Sequence, residues 1–217
     1  KPDVVLCDLN MPVLDGFGVL DAVTHKSPET PVIVVSGMGV IKQASVLALH
    51  HLFPMDFDAG LMRAHWDFYA PRTVHDSSLS AGTHAYVACL LGKQEEAMRF
   101  FKKVLSADLD EHIQGAADGI HAANAGNAWM VAVKGFGGLH VDAEGLCCSP
   151  RLPKDWRRLE YVSYYRGRRL QFVITPEAIT VDAAEGEEID LRIEGRPVRF
   201  AREPAHYSQL RETGKTT

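Results

Sequence analysis

Residues 71 to 80 read Pro-Arg-Thr-Val-His-Asp-Ser-Ser-Leu-Ser, a loop dense in small hydroxyl groups that runs into a helix expected to begin near Leu79. A junction of this kind gathers several groups around one volume: the free N–H groups and positive dipole end of a helix start, the hydroxyls of Ser77 and Ser78, and the imidazole of His75. Such a volume suits an anion. The same residues also fit an ordinary N-cap, with Ser77 or Ser78 capping the helix and His75 packed beside it. A second stretch, Ala117-Asp118-Gly119-Ile120-His121, opens another expected helix through Trp129 to about Lys134, with His121 in its first turn, at another dipole-positive end. Lys42-Gln43 opens a third helical stretch, where Lys42 by itself reads as a solvated charge. Asp8 ends the short apolar run Val4-Val5-Leu6-Cys7.

Three periodicities supply the elements that must hold these groups. In residues 1–41 an apolar run ends at Asp8, a helical stretch follows around Val19, and a second apolar run, Pro31 to Val35, ends at Ser36-Gly37; this is the strand–helix–strand order of a parallel sheet. From 42 to 138 the pattern is helical. Leu47, Leu49, Leu52 and Phe53 make one apolar face, Asp56 is placed to cap the next helix, and Pro71 ends it. Gly92 closes the helix after the hydroxyl loop, and the following helix should bury Met98, Phe101, Val104 and Leu105. Short links between such helices imply antiparallel neighbours. From Leu139 to residue 202 the period is two, an antiparallel β module whose Arg166-Gly167-Arg168-Arg169 turn reads as a solvated hairpin tip. Residues 203–217 are polar and are expected to be disordered. Gly135-Phe136-Gly137-Gly138 lacks the third glycine and the preceding strand of a dinucleotide fingerprint.

Composition narrows the chemistry. The 217 residues are 46% hydrophobic and 24% charged, with a formal charge of −5, which gives no basic footprint for nucleic acid or an anionic membrane and leaves sugar or small-molecule chemistry. The four cysteines, Cys7, Cys89, Cys147 and Cys148, form neither a C-x-x-C pair nor a spaced framework, and read as reduced thiols of a cytoplasmic protein. The adjacent Cys147 and Cys148 should point to opposite faces of a strand. No apolar run is long enough to span a bilayer, and Lys1 is not an initiator Met, so the chain is expected to continue a longer one.

Two families resemble parts of the chain. Arg-Thr-Val-His-Asp-Ser-Ser-Leu-Ser at 72–80, Lys-Gln-Ala-Ser-Val-Leu at 42–47, Asp-Gly-Ile-His at 118–121 and Ser-Pro-Arg-Leu-Pro at 149–153 are similar to segments of the maltose, trehalose and kojibiose phosphorylases of glycoside hydrolase family 65. Pro-Asp-Val-Val-Leu-Cys-Asp-Leu-Asn-Met-Pro at 2–12 resembles a response-regulator receiver. The first resemblance implies an α+β chain: part of an α/α toroid (six-hairpin glycosidase-like) at 42–138 and a small antiparallel β-sandwich at 139–202. The second implies a βαβ receiver stump at 1–41, with Asp8 as phosphoacceptor and Ser36 as the hydroxyl that reports it. Receivers also need an acidic pair and a Lys, for which this stretch has no counterpart.

For the phosphorylase part, the resemblance implies that Ser77, Ser78 and His121 bind phosphate, that Arg72 and His75 shape the loop, and that Lys42 and Gln43 hold the glucosyl unit. Inorganic phosphate would be the co-substrate, with a disaccharide or glucose 1-phosphate as the other partner; no organic cofactor and no metal are expected. Inverting phosphorolysis also needs a carboxylic acid to protonate the leaving oxygen. In the family that acid is a Glu upstream of the Lys-Gln segment, where this chain has receiver-like sequence, so the phosphate half of a site is expected without the acid half. The other reading is a non-catalytic chain, a signalling remnant or a fusion.

Overall fold

The computed structural model describes residues 5–8, 19, 22, 23, 25–30, 32–35, 44–53, 57–74, 78–107, 109 and 120–211. Strands β1 (Val5–Asp8) and β2 (Val32–Val35) pair in parallel, in register from Val5 with Val32 to Asp8 with Val35.

Five α-helices follow among the described residues: α1 (Ser45–Leu52), α2 (Ala59–Tyr69), α3 (Ser78–Leu90), α4 (Gln94–Ser106) and α5 (Ala122–Met130). The clearest amphipathic pattern is that of α4, which buries Ala97, Phe100, Phe101 and Val104, spaced i, i+3, i+4, i+7, and carries Glu95 and Glu96 at its N-terminal and Lys103 at its C-terminal end, as the helix dipole favours. Leu105, expected on that face, is instead 47% exposed. In α1 the buried face is Leu47, His50 and His51, while Leu49, Leu52 and Phe53 are exposed. The cap of α2 is Asp58, whose carboxylate accepts from the Leu61 N–H at 2.9 Å; Asp56 lies outside the described residues.

Helix α3 is the hub. Its residues from Ser80 to Cys89 are buried, because small side chains at Ala81, Gly82, Ala85 and Ala88 let neighbouring helices approach on several sides. It ends at Gly92 (φ 71°), with the Lys93 N–H bonded back to the Ala88 carbonyl at 2.9 Å, and α4 returns antiparallel. Helix α5 is antiparallel to α4, since Asn124, near its start, donates to the carbonyl of Val104, near the end of α4 (2.8 Å). It therefore runs parallel to α3. Asn127 touches Leu79 and Gly82, and further along Gly135 meets Tyr86 and Cys89.

After Met130 the helix widens into a π-helical segment, Val131–Phe136, and leaves through Gly137-Gly138. Gly138 (φ 64°) must be glycine, since a Cβ there would stand 1.9 Å from the Ser149 carbonyl oxygen. Trp156 lies between Phe101 (ring centroids 6.0 Å) and Phe136 (5.1 Å), packed against both the helical core and the sheet core.

The β module contains β3 (Leu139–Asp142), β4 (Gly145–Cys148), β5 (Leu159–Tyr165), β6 (Arg168–Ile174), β7 (Ala178–Ala183), β8 (Ile189–Ile193), β9 (Arg196–Phe200) and β10 (Ala205–Leu210). They form two four-stranded sheets, ordered β10-β7-β6-β5 and β3-β4-β8-β9, whose inward residues share one core.

Three expectations are corrected here. The module is not wholly antiparallel, because β4 pairs in parallel with β8, Cys147 opposite Arg192. The segment from 203, expected to be disordered, instead supplies β10, paired along its length with β7. Its inward side chains are Ala205, Tyr207 and Gln209, small or polar-tipped, so the alternation does not look apolar. Third, Arg168 is not solvated: it is 1% exposed, and its guanidinium donates to the carbonyls of Ala184 (2.6 Å), Glu187 (3.0 Å), Phe200 (3.2 Å), Ala201 (2.5 Å) and Glu203 (2.7 Å). The tip itself is the left-handed pair Arg166 and Gly167.

Candidate functional site

Of the residues singled out by sequence, Lys42, Gln43, His75 and Ser77 lie outside the described residues, as does Ser36, and the side chains of Asp8 and Ser78 are not described. The backbone of Asp8 ends β1, and Ser78 is the first residue of α3.

Arg72 belongs to the short 3-10 turn Ala70–Arg72 that leads into the hydroxyl loop. It is turned back on α2, donating from Nη1 to the Phe68 carbonyl (2.8 Å) with its guanidinium over the Phe68 ring (4.3 Å). The Thr73 hydroxyl donates to the Tyr69 carbonyl (2.9 Å). The near side of the loop is thus tied down by its own preceding helix.

His121 is half-buried at the N-cap of α5, one position earlier than the first turn expected for it, and its carbonyl receives the N–H groups of Asn124 (2.8 Å) and Ala125 (3.1 Å). Its side chain makes no cap hydrogen bond. Because α5 runs parallel to α3, the two helix starts lie at the same end of the helical layer. From Asn127, which touches the first turn of α3, His121 stands about 9 Å further toward that end along the axis. What this arrangement does chemically is attract: two dipole-positive helix ends face the same way, and anions are favoured at each.

The fit between the two helices depends on Gly82 and Asn127. The Asn127 side chain lies against Gly82, where a Cβ would come within 2.7 Å, and Asn127 Nδ2 donates to the Leu79 carbonyl at 3.3 Å. Sequence reading missed this pair, because nothing in either residue's local pattern points to the other.

It also missed three buried histidines. His84 is 0% exposed in the second turn of α3; its Nδ1 must carry a proton to donate to the Ser80 carbonyl (2.8 Å), and its ring meets Trp66 and Phe100. Burial lowers its pKa, the Ser80 carbonyl opposes that shift, and Arg99 and Lys103 add to it. His50 is paired with His65 (Nε2 to Nδ1, 2.8 Å), and its pKa is lowered by burial and then by that neighbour. His51 rests against the Met130 sulfur (3.1 Å) and is lowered by burial and then by Lys134. These rings are therefore structural and neutral near pH 7. The Ser80–His84 spacing of i, i+4 is the one signal that sequence offered.

A surface concavity lined by Arg166, Gly167, Glu185, Gly186, Glu187 and Arg202 belongs to the β module, not to the helix starts, and its charges are of mixed sign. No helix among the described residues is long and apolar enough to cross a membrane.

Comparison with known proteins bears on both halves. The glycosyl hydrolase family 65 central catalytic domain matches residues 21–130, a span that takes in β2 as well as the helices, and the C-terminal domain of the same family matches residues 139–200. The chain is 36% identical over 159 residues to a kojibiose phosphorylase of Caldanaerobacter subterraneus subsp. tengcongensis, covering 72% of this chain and 21% of that protein. It is 40% identical over 146 residues to the 1,2-alpha-glucosylglycerol phosphorylase of Bacillus selenitireducens, covering 65% of this chain and 19% of that one. A solved kojibiose phosphorylase-like protein from the human microbiome superposes with a TM-score of 0.70 at 26% identity, over 78% of this chain and 22% of that chain. The chain spans about a fifth of the length of the curated relatives it matches.

Proposed function

The chain belongs to glycosyl hydrolase family 65, and from that premise we propose that its 217 residues carry the phosphate- and sugar-binding half of a disaccharide phosphorylase site. Ser77, Ser78 and His121 hold inorganic phosphate, Arg72 and His75 shape the loop, and Lys42 and Gln43 hold the glucosyl unit. The helices of 42–138 are then part of an α/α toroid, and the two sheets are its β-sandwich. The observation that carries the reading is the parallel course of α3 and α5, which puts the helix start at Ser78 and the helix start at His121 at one end of the layer. The matched relatives, named as phosphorylases of kojibiose and 1,2-alpha-glucosylglycerol, supply the reaction class.

Phosphate held at those helix starts is placed as the nucleophile. Inverting attack at the anomeric carbon also requires a proton on the leaving oxygen, and a positioned acid contributes roughly 10²–10⁴ in rate. In this proposal the acid comes from outside these residues. The isolated chain is therefore expected to bind inorganic phosphate weakly and to release no glucose 1-phosphate from maltose, trehalose or kojibiose. Calorimetric titration should show the phosphate signal lost in His121→Ala and retained in Asp8→Asn. Release of glucose 1-phosphate that disappears in Ser78→Ala would overturn the assignment of the acid.

A second reading is favoured by one feature, the parallel pairing of β1 with β2 up to Asp8: a receiver remnant whose phosphoacceptor is Asp8. Phosphorylation of Asp8 by a small phosphoryl donor with Mg²⁺, detected by intact mass and absent in Asp8→Asn, is required by that reading alone.

A further inference from the structure

We propose that the outer face of the β3–β4 hairpin is a binding site for a divalent transition-metal ion of the zinc class, with His140, Asp142 and Cys147 as its protein ligands. The inference does not depend on the phosphate reading, since the two sites use different elements.

Strand geometry assembles the three side chains. His140 and Asp142 are two apart on β3 and so share a face, while Cys147 on β4 stands directly opposite His140 in the register. Their ligand atoms all lie within 4.8 Å of one another, and Cys147 Sγ is already 3.4 Å from an Asp142 carboxylate oxygen. Metal–ligand bonds of 2.0–2.3 Å in a tetrahedron require separations of about 3.3–3.8 Å, within reach of small side-chain rotations. One nitrogen, one carboxylate oxygen and one sulfur suit Zn²⁺ or Co²⁺ and disfavour Mg²⁺ or Ca²⁺, with water as fourth ligand. The Nδ1 of His140 lies 3.1 Å from the Gly138 carbonyl. That carbonyl can only accept, so the bond fixes the proton on Nδ1 and leaves Nε2 to ligate.

The competitor is Arg192, opposite Cys147 on β8. Its guanidinium pairs with Asp142 and donates to Cys147 Sγ (3.0 Å), standing where the ion would. Two features make it displaceable. Arg192 Nε is buried without a hydrogen-bond partner. Its Nη1 already has an outer carboxylate, Glu144, at 2.8 Å, to which the cation can withdraw. In the exchange the Arg192–Asp142 pair opens, the Cys147 thiol gives its proton to solvent, and the thiolate, the Asp142 carboxylate and the imidazole close on the ion. The ion would staple the first hairpin of the β module beside the Gly137-Gly138 exit from the helices.

The test is titration of the untagged full chain, in a Cys7→Ser background, with Co²⁺. Cys89, buried in the helical core, and Cys148, buried on the inward side of β4 with its Sγ donating to the Gly137 carbonyl, face away from this cluster and stay silent. The expected result is a thiolate-to-cobalt charge-transfer band with the intense visible bands of a tetrahedral ion, bleached by Zn²⁺. Cys147→Ser should abolish the charge-transfer band, His140→Ala should weaken binding at least about tenfold, and Arg192→Ala should tighten it about tenfold. Because His140 is only half-buried, its variant keeps the fold, and a Zn²⁺-dependent rise in Tm should appear in the parent and vanish in that variant. Absence of the band in the folded parent, or its persistence in Cys147→Ser or undiminished in His140→Ala, would overturn the site and leave an Arg192–Asp142–Glu144 ion-pair cluster only.

Discussion

The side chain of Arg168 lies so close to Gly186 that a Cβ built there would stand 2.9 Å from Arg168 Cγ. The stem of the buried arginine is threaded past a position with no side chain, and its head then reaches carbonyls of the loop after β7 and of the end of β9 and the segment that follows it. No carboxylate takes part; the charge is satisfied by backbone dipoles alone.

Arg168→Lys is accordingly expected to destabilise the chain by about 2–4 kcal/mol, because an ammonium cannot reach five carbonyls spread around a planar fork and leaves several buried and unpaired. Arg166→Ala, two residues away at the tip, should change stability by less than about 0.5 kcal/mol. Gly186→Ala should cost roughly 1–3 kcal/mol, since the atom it meets cannot yield without breaking those bonds. Urea unfolding of the three variants measures the order, and equal losses in Arg166→Ala and Arg168→Lys would contradict it.

At the helix starts, Gly82→Val should push Asn127 away and shift the N-terminal end of α5 from that of α3. Phosphate affinity is expected to fall by roughly tenfold, about 1.4 kcal/mol. A control, Glu95→Gln on the exposed side of α4, should leave it unchanged. Unaltered affinity in Gly82→Val, with the fold intact by circular dichroism, would show that the two helix starts do not act on one anion.

Burial lowers the pKa of His84 from its ordinary value of 6.5, with Ser80 opposing and Arg99 and Lys103 assisting. The unfolded chain therefore binds more protons than the folded one at pH values below about 6.5. The stability this neutral ring contributes is present in full above that pH and is lost as pH falls through it and toward the lower folded value, at up to about 1.4 kcal/mol per pH unit for one proton. His50 and His51 act in the same direction. Thermal melts from pH 7.5 to 5 should show a falling Tm, with a shallower slope in His84→Asn, which keeps a donor for the Ser80 carbonyl. An unchanged slope would contradict the role of His84.

Removal of Trp156 tests the coupling of the two cores. Trp156→Ala strips a ring packed on Phe101 and Phe136 and should destabilise by about 3 kcal/mol, with the helical and sheet parts losing their common unfolding midpoint. Near-ultraviolet circular dichroism and far-ultraviolet melts followed together would report it; a single coincident transition would argue against the coupling.

How much of this was legible in the sequence follows from how local each feature is. Helix α4 is written in its own spacing and its charged ends, and the left-handed Gly92 marks the end of α3. Strands β5 and β6 alternate plainly, with Leu170, Phe172 and Ile174 inward. The pattern of α1 misleads because its buried face is completed by two histidines, not by its leucines. Arg168 was illegible because its acceptors lie 16 to 35 residues away and are backbone atoms that any residue would supply. The parallel β4–β8 pair and the polar-tipped β10 are equally non-local. The hydroxyl-rich loop was visible in residue types, but the partnership of its helix with that of His121 rests on Gly82 and Asn127, which carry no local signal.

The π-helical turn between α5 and β3 has a geometric consequence of its own. An α-helix advances about 100° per residue, so a segment wound wider than 3.6 residues per turn resets the angle at which everything after it departs. Val131–Phe136 thereby sets the azimuth of the Gly137-Gly138 exit relative to the face carrying Asn127. Loss of one residue from this segment would keep a continuous helix while swinging the exit by roughly a quarter turn, taking Trp156 off Phe136 and the β module off its seat. The chain could tolerate many substitutions here more readily than a change of length.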